Sequence, residues 1–200
     1  MSNNRYSRRA VVLSSVLLAV VVLLLVPGHP ASAGQAGWDA LRNGKAFVIM
    51  RHALAPGTGD PGNFNVDECG TQRNLSDQGR QQARKTGELF RTRGIANAEV
   101  FTSAWCRCRD TARLLALGPV RTLEPLNSFF RQQDRREAQT AALKDWLQAR
   151  TGDKPLVLVT HQVNITALTG IFPRSGELIF VEAGANNSLR VIDRAGIAAQ

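Results

Sequence analysis

Ala46-Phe47-Val48-Ile49-Met50-Arg51-His52-Ala53-Leu54-Ala55-Pro56 is the stretch on which the reading of this chain turns. Five small or apolar residues, Ala46 to Met50, make the short continuous run expected of a strand buried on both faces. The run stops at Arg51 and His52. In open α/β sheets the carboxyl ends of the strands border the crevice where ligands bind, so a guanidinium and an imidazole at that position mark a candidate site.

Other strand ends repeat the pattern. Glu99 to Thr102 reads as a second strand and runs into Ser103; Leu156 to Thr160, introduced by Pro155, reads as a third and runs into His161. Between them lie helical segments. Ala36 to Asn43 precedes the first strand and is stopped by Gly44. Ser76 caps a helix over about Asp77 to Arg93, with Ala83, Gly87 and Phe90 on one face and Gly94 at its end. Trp105 to Leu117, capped by Ser103, and Gln133 to Arg150 follow. Pro125 and the LNSFF segment read as irregular or a short strand. Val163 to Leu168 begins a last helix, and Leu178 to Val181 and Ser188 to Ile192 join through the Gly184 to Asn187 turn. Strands alternating with helices imply a three-layer α/β/α sandwich around a mostly parallel sheet. The Gly-, Pro-, Asn- and Asp-rich segment Gly57 to Gln72, directly after Arg51-His52, is a long loop of the functional kind.

The chain begins with three arginines and no acid, then the apolar run Val11 to Val26 and the small-residue site Ala31-Ser32-Ala33. That order is a secretory signal, with cleavage expected after Ala33. The apolar run has 16 residues, short of the ~20 that span a bilayer, so no membrane span is expected after cleavage and an uncleaved anchor is the weaker alternative. Ser7-Arg8-Arg9 also fits a twin-arginine signal, so the export route stays open. Residues 34–200 form one domain, placed in the periplasm or outside the cell. They carry 22 basic and 16 acidic residues, and only four of the basic ones are lysine. An arginine surplus suits bidentate recognition of phosphate. There is no basic arm or aromatic-interleaved basic patch, which speaks against a nucleic-acid partner.

Three cysteines remain, Cys69, Cys106 and Cys108. In an oxidising compartment a disulfide is expected, and Cys106 and Cys108 are too close to bridge each other readily, so Cys69 pairs with one of them. This set is a poor zinc signature, and no metal or cofactor is expected. Within residues 34–200 the only histidines are His52 and His161.

A parallel arrangement brings Arg51-His52, Ser103 to Arg107 and His161 to one edge. Two histidines among arginines suit a phosphoryl group: the guanidiniums neutralise its oxygens, one imidazole attacks phosphorus and the other donates to the phosphoryl oxygens with its charge. Here the sequence resembles the histidine phosphatase superfamily, the phosphoglycerate-mutase-like fold. Arg51-His52-Ala53 matches its Arg-His-Gly/Ala signature. Arg73-Asn74-Leu75-Ser76 through Gly79, Gln82 and Ala83 matches its R-x-L-S/T-x-x-G-x-x-Q-A element. Ser103, Arg107, Thr111 and Ala112 match S-x-x-x-R-x-x-x-T-A, and Val159-Thr160-His161 the late strand-histidine element.

The resemblance implies His52 as the phosphorylated nucleophile, His161 as the second pocket histidine and Arg51, Arg73 and Arg107 as phosphate ligands. It implies a metal-independent phosphatase acting on a small phosphorylated substrate, such as an envelope glycan or lipid phosphate, and the small exported size resembles that of bacterial lipopolysaccharide heptose-phosphate phosphatases. Many members supply an acid after the S-x-x-x-R helix; here Glu124 and Asp134 are the candidate proton donors. Two alternatives stand beside this reading, a phospholigand-binding module without turnover and a phosphohistidine-protein phosphatase. Trp105, Trp146, Phe129 and Phe130 are expected in the core.

Overall fold

The computed structural model describes residues 34–186 and 188–199; the expected signal sequence, residues 1–33, lies outside them. In chain order the elements are α1 (Gln35–Arg42), β1 (Phe47–Arg51), α2 (Asp77–Thr92), β2 (Glu99–Thr102), α3 (Cys106–Leu115), β3 (Val120–Thr122), α4 (Arg136–Ala149), β4 (Leu156–Thr160), α5 (Gln162–Thr169), β5 (Leu178–Ala183) and β6 (Leu189–Ala195). Six strands form one sheet in the order β3-β2-β4-β1-β5-β6. The pairings β2 with β3, β2 with β4 and β1 with β4 are parallel; β5 pairs antiparallel with both β1 and β6.

Side-chain alternation along β1 sorts the core into two layers. Val48 and Met50 face a cluster with Trp38 and Leu41 of α1, Phe90 of α2 and Ala112 and Leu115 of α3. Phe47 and Ile49 face the other side, with Leu143 and Leu147 of α4 and Ile165 and Leu168 of α5. Burial on both faces is why β1 and β4 read as continuous apolar runs rather than as alternating strands.

Two glycines let α2 approach the sheet's ligand edge. A Cβ at Gly79 would lie 2.0 Å from the Leu54 carbonyl oxygen, and one at Gly87 would lie 2.1 Å from that of Leu115. Both are far inside contact distance, so α2 docks on the chain after His52 and on the end of α3 only because those side chains are missing. Ser76 caps α2 as expected, its Oγ accepting from Gly79 N at 3.1 Å.

Differences from the sequence reading are local. The LNSFF segment is not a strand; the strand is β3, ahead of it, and Glu124–Leu126 is a short 3-10 turn. β3 is three half-exposed or exposed residues at the sheet's edge, so it has no apolar run to read. Gln133–Arg135 is also a 3-10 turn, and α4 starts only at Arg136. Ser103 lies outside α3, whose N-terminal flanking residue is Trp105. Among the described residues no helix is long and apolar enough to cross a membrane.

Candidate active site

Register places the two histidines. Arg51 lies beside Thr160, and Thr102 beside Val159, so the chains leave β1, β4 and β2 side by side at one edge. His52 N then donates to the Thr160 carbonyl at 2.9 Å and Ser103 N to that of Val159 at 3.0 Å. His52 is only 2 % exposed and His161 only 4 %, and their ring centroids are 5.6 Å apart.

The tautomer of His52 follows from its neighbour. Nδ1 lies 2.8 Å from the Ala53 carbonyl oxygen; a carbonyl can only accept, so Nδ1 carries the hydrogen and Nε2 keeps its lone pair. Burial first, and then the Arg107 guanidinium, push the His52 pKa well below the ordinary imidazole value, against the opposing effect of the Ala53 bond. Both effects favour the neutral ring, with its lone pair on Nε2.

His161 is oriented through its other nitrogen. Arg107 Nη2 lies 3.5 Å from Nδ1, and since a guanidinium only donates, Nδ1 is the acceptor. Nε2–H then donates to Ser103 Oγ at 2.8 Å, and Ser103 Oγ donates in turn to Asn127 Oδ1 at 3.3 Å. The Asn127 oxygen is itself fixed by Ala104 N at 2.8 Å. Burial, Arg107 and His52 push the His161 pKa well down. Burial first, and then the positive charge of Arg107, disfavour the charged form of His161 that the sequence reading expected.

Arg51, Arg73 and Arg107 all line the cavity of about 330 Å³ that holds both histidines. A larger cavity, about 690 Å³, lies against residues 194–199 and contains neither histidine. Burial and Arg107 lower the Arg51 pKa and take that of Arg73 down to about 10, a measure of how much positive charge is crowded here. Backbone carbonyls hold the side chains in place: Arg51 Nη1 donates to Pro173 O at 3.1 Å and Arg73 Nε to Gly59 O at 2.8 Å. Arg107, 3 % exposed, forks onto Asp60 at 2.7 and 3.2 Å, and its buried Nε has no partner among the described residues.

Asp60 was not among the sequence candidates. Its carboxylate also accepts from Arg73 N and from Trp105 Nε1, each at 3.1 Å. Burial pushes the Asp60 carboxyl up, but the hydrogen bonds and charge of Arg107 outweigh this and hold it below the usual carboxylate range. Only its place in the loop after Arg51-His52 could have pointed to it. Ser103 as the partner of His161, and Asn127 as that of Ser103, were missed because the fold, not sequence spacing, brings them together.

The remaining candidates divide. Glu124 is exposed and paired with Arg135, Asp134 is exposed, and neither lines the histidine cavity. Cys69 is disulfide-bonded to Cys106, tying the loop before Arg73 to the start of α3, while Cys108 is a buried thiol. Burial takes the Cys108 pKa up to about 12, and its Sγ rests 3.5 Å from His161 Nε2. Phe129 is buried and Trp146 packs edge-on against Phe101. Phe130, however, is 46 % exposed at the cavity, and Trp105 stacks on Phe64 beside it. Asn164 is buried and donates to the Asn127 carbonyl at 2.8 Å.

Comparison with known proteins agrees with this geometry. Residues 47–129 match the model of the histidine phosphatase superfamily (branch 1). No curated protein sequence matches the chain. The protein histidine phosphatase SixA complexed with tungstate shares the fold at a TM-score of 0.56 and 14% identity, over 76% of this chain and 96% of that one. A mycobacterial glucosyl-3-phosphoglycerate phosphatase complexed with VO3 does so at 0.56 and 17%, over 74% and 98%. Mycobacterial hydrolase 1 does so at 0.57 and 18%, over 76% and 99%. The matched residues 47–129 carry Arg51, His52, Arg73 and Arg107, and the three solved structures share the fold of the chain around them.

Proposed function

We propose that the protein is an exported phosphatase that hydrolyses a phosphomonoester through a phosphohistidine on His52. One observation carries the reading. Three guanidiniums face a single carboxylate around two buried histidines, leaving two surplus positive charges in one cavity. A phosphoryl dianion is the group that this surplus neutralises.

The first step follows from the tautomer. His52 Nε2 attacks phosphorus, the P–O bond to the alcohol breaks, and Arg51, Arg73 and Arg107 hold the equatorial oxygens while charge moves between them. The imidazole becomes cationic as it is phosphorylated, and the Nδ1–H bond to Ala53 O both fixes the ring and stabilises that charge. Water then attacks phosphorus and frees His52. His161, held by Ser103 and facing Arg107, forms the wall of the site across from His52 and helps to fix the Arg107 guanidinium.

Export is supported by the charged, apolar and small-residue segments of residues 1–33 and by the Cys69–Cys106 disulfide, a bond that persists in oxidising compartments. A phosphorylated envelope glycan or lipid is the substrate class that fits such a location, as the resemblance to heptose-phosphate phosphatases suggests. Turnover of 4-nitrophenyl phosphate by the wild type, abolished in His52→Ala, is the expected result. Full activity in that variant removes His52 from the nucleophile's role.

A further inference from the structure

Breaking a P–O bond to an alcohol needs a proton for the departing oxygen, because an unprotonated alkoxide is a poor leaving group. Among the described residues, the cavity lining supplies one carboxylic acid, Asp60. The arginines keep their protons, and both imidazoles are committed, His52 to attack and His161 to Ser103. Glu124 and Asp134 lie elsewhere on the surface. Asp60 is also in the right place. It binds Arg107, whose Nη2 lies between the Asp60 carboxylate, at 3.2 Å, and His161 Nδ1, at 3.5 Å.

We propose that Asp60 is the proton donor to the leaving oxygen, and that it recovers the proton from water in the second step. This rests on the phosphatase reading above. In the first step the bond from His52 Nε2 to phosphorus forms, the P–O bond to the alcohol breaks, and the Asp60 proton passes to that oxygen, releasing the alcohol. In the second step water adds to phosphorus, the N–P bond breaks, and the water's proton returns to Asp60.

The carboxylate is ionised while Arg107 faces it alone. A phosphomonoester has its second pKa near ~6, so its monoanion can carry a proton into the site and, on passing it to Asp60, become the dianion that the arginines neutralise. Once the phosphoryl oxygens take a share of Arg107, Asp60 meets a like charge, which favours the protonated carboxyl. Gly57 and Gly59 are in the left-handed region, with φ of 89° and 71°, and they turn the chain back so that Asp60 reaches into the cavity.

The test compares leaving groups. In Asp60→Asn, turnover of an alkyl phosphate such as glycerol 3-phosphate should fall by ~10²–10⁴-fold. Turnover of 4-nitrophenyl phosphate, whose phenolate leaves without help, should fall by a factor at least about tenfold smaller. Asp60→Glu should recover part of the alkyl activity. An equal loss on both esters means that Asp60 only positions Arg107 and overturns the proposal, as does an unchanged alkyl rate. The wild type alone provides a second route should the variants not fold. Across a graded series of aryl and alkyl phosphates, a shallow dependence of kcat on leaving-group pKa agrees, and a steep one overturns the proposal. A wild type that hydrolyses neither ester overturns the phosphatase reading and Asp60's role with it.

Discussion

His52 spends its Nδ1–H on the carbonyl of the next residue, Ala53, 2.8 Å away. This contact is local in sequence and decides the chemistry, because it leaves Nε2 as the nitrogen with a lone pair. The Ala53 peptide is held in turn, its N–H donating to Thr111 Oγ1 at 3.0 Å, so α3 supports the backbone beside His52 as well as carrying Arg107.

The His161 relay predicts a positioning role for Ser103. In Ser103→Ala the buried Nε2–H loses its acceptor, at a stability cost of about 1–3 kcal/mol. The expected outcome is a lower Tm together with a lower kcat and little change in KM, measured by thermal melts and steady-state kinetics on 4-nitrophenyl phosphate. A Tm change with kcat intact would show that His161 needs no orientation by Ser103.

The two close glycine contacts of α2 separate stability from activity. Gly79→Ala and Gly87→Ala each force a Cβ against a carbonyl, at 2.0 and 2.1 Å, and each should cost about 1–3 kcal/mol by overpacking. Only Gly79 abuts Leu54, two residues from His52. Denaturant titration should therefore find both variants destabilised, and kinetics should find kcat reduced more in Gly79→Ala.

Two neutral buried histidines make stability depend on pH in a defined direction. Their folded pKa values lie well below the unfolded value of about 6.5. Below that pH the unfolded chain binds protons that the folded chain does not, so stability is fully present above about pH 6.5 and falls as the pH drops beneath it. Each histidine can take away up to about 1.4 kcal/mol per pH unit there. Asp60, also lowered, loses its contribution in the same direction at lower pH still. Melts from pH 7.5 down to 5 should show a declining Tm, and His52→Gln should make the decline shallower.

The disulfide closes a loop of 37 residues in sequence separation, for which chain entropy gives about 3–4 kcal/mol. Reductant should lower Tm correspondingly. Without reductant, a thiol reagent should modify no cysteine in the folded protein and one, Cys108, in denaturant. Labelling of all three thiols would contradict the pairing.

The sheet and the histidine edge were legible in the sequence because they are written in local runs. Phe47 to Met50 and Leu156 to Thr160 are buried on both faces, which leaves an unbroken signature; the first run stops at Arg51-His52 and the second at His161. Arg73 and Arg107 were reached through motif spacing, since α2 and α3 fix where those residues emerge. What escaped is long-range. Asp60 meets Arg107 across 47 positions and Ser103 meets His161 across 58, and neither pairing leaves a periodic trace. The partner choice of Cys69 was left open between Cys106 and Cys108 because adjacent faces of one helix start decide it. Cys106 faces the loop, and Cys108 turns inward against His161.

The decisive measurement is rapid acid-free quenching of the protein during turnover of a 32P-labelled phosphomonoester, followed by peptide mapping. A phosphohistidine intermediate predicts label that is stable to alkali, lost in acid and confined to the peptide containing His52, with none in His52→Ala. Turnover with no protein-bound phosphate, or label that persists in His52→Ala, would contradict it.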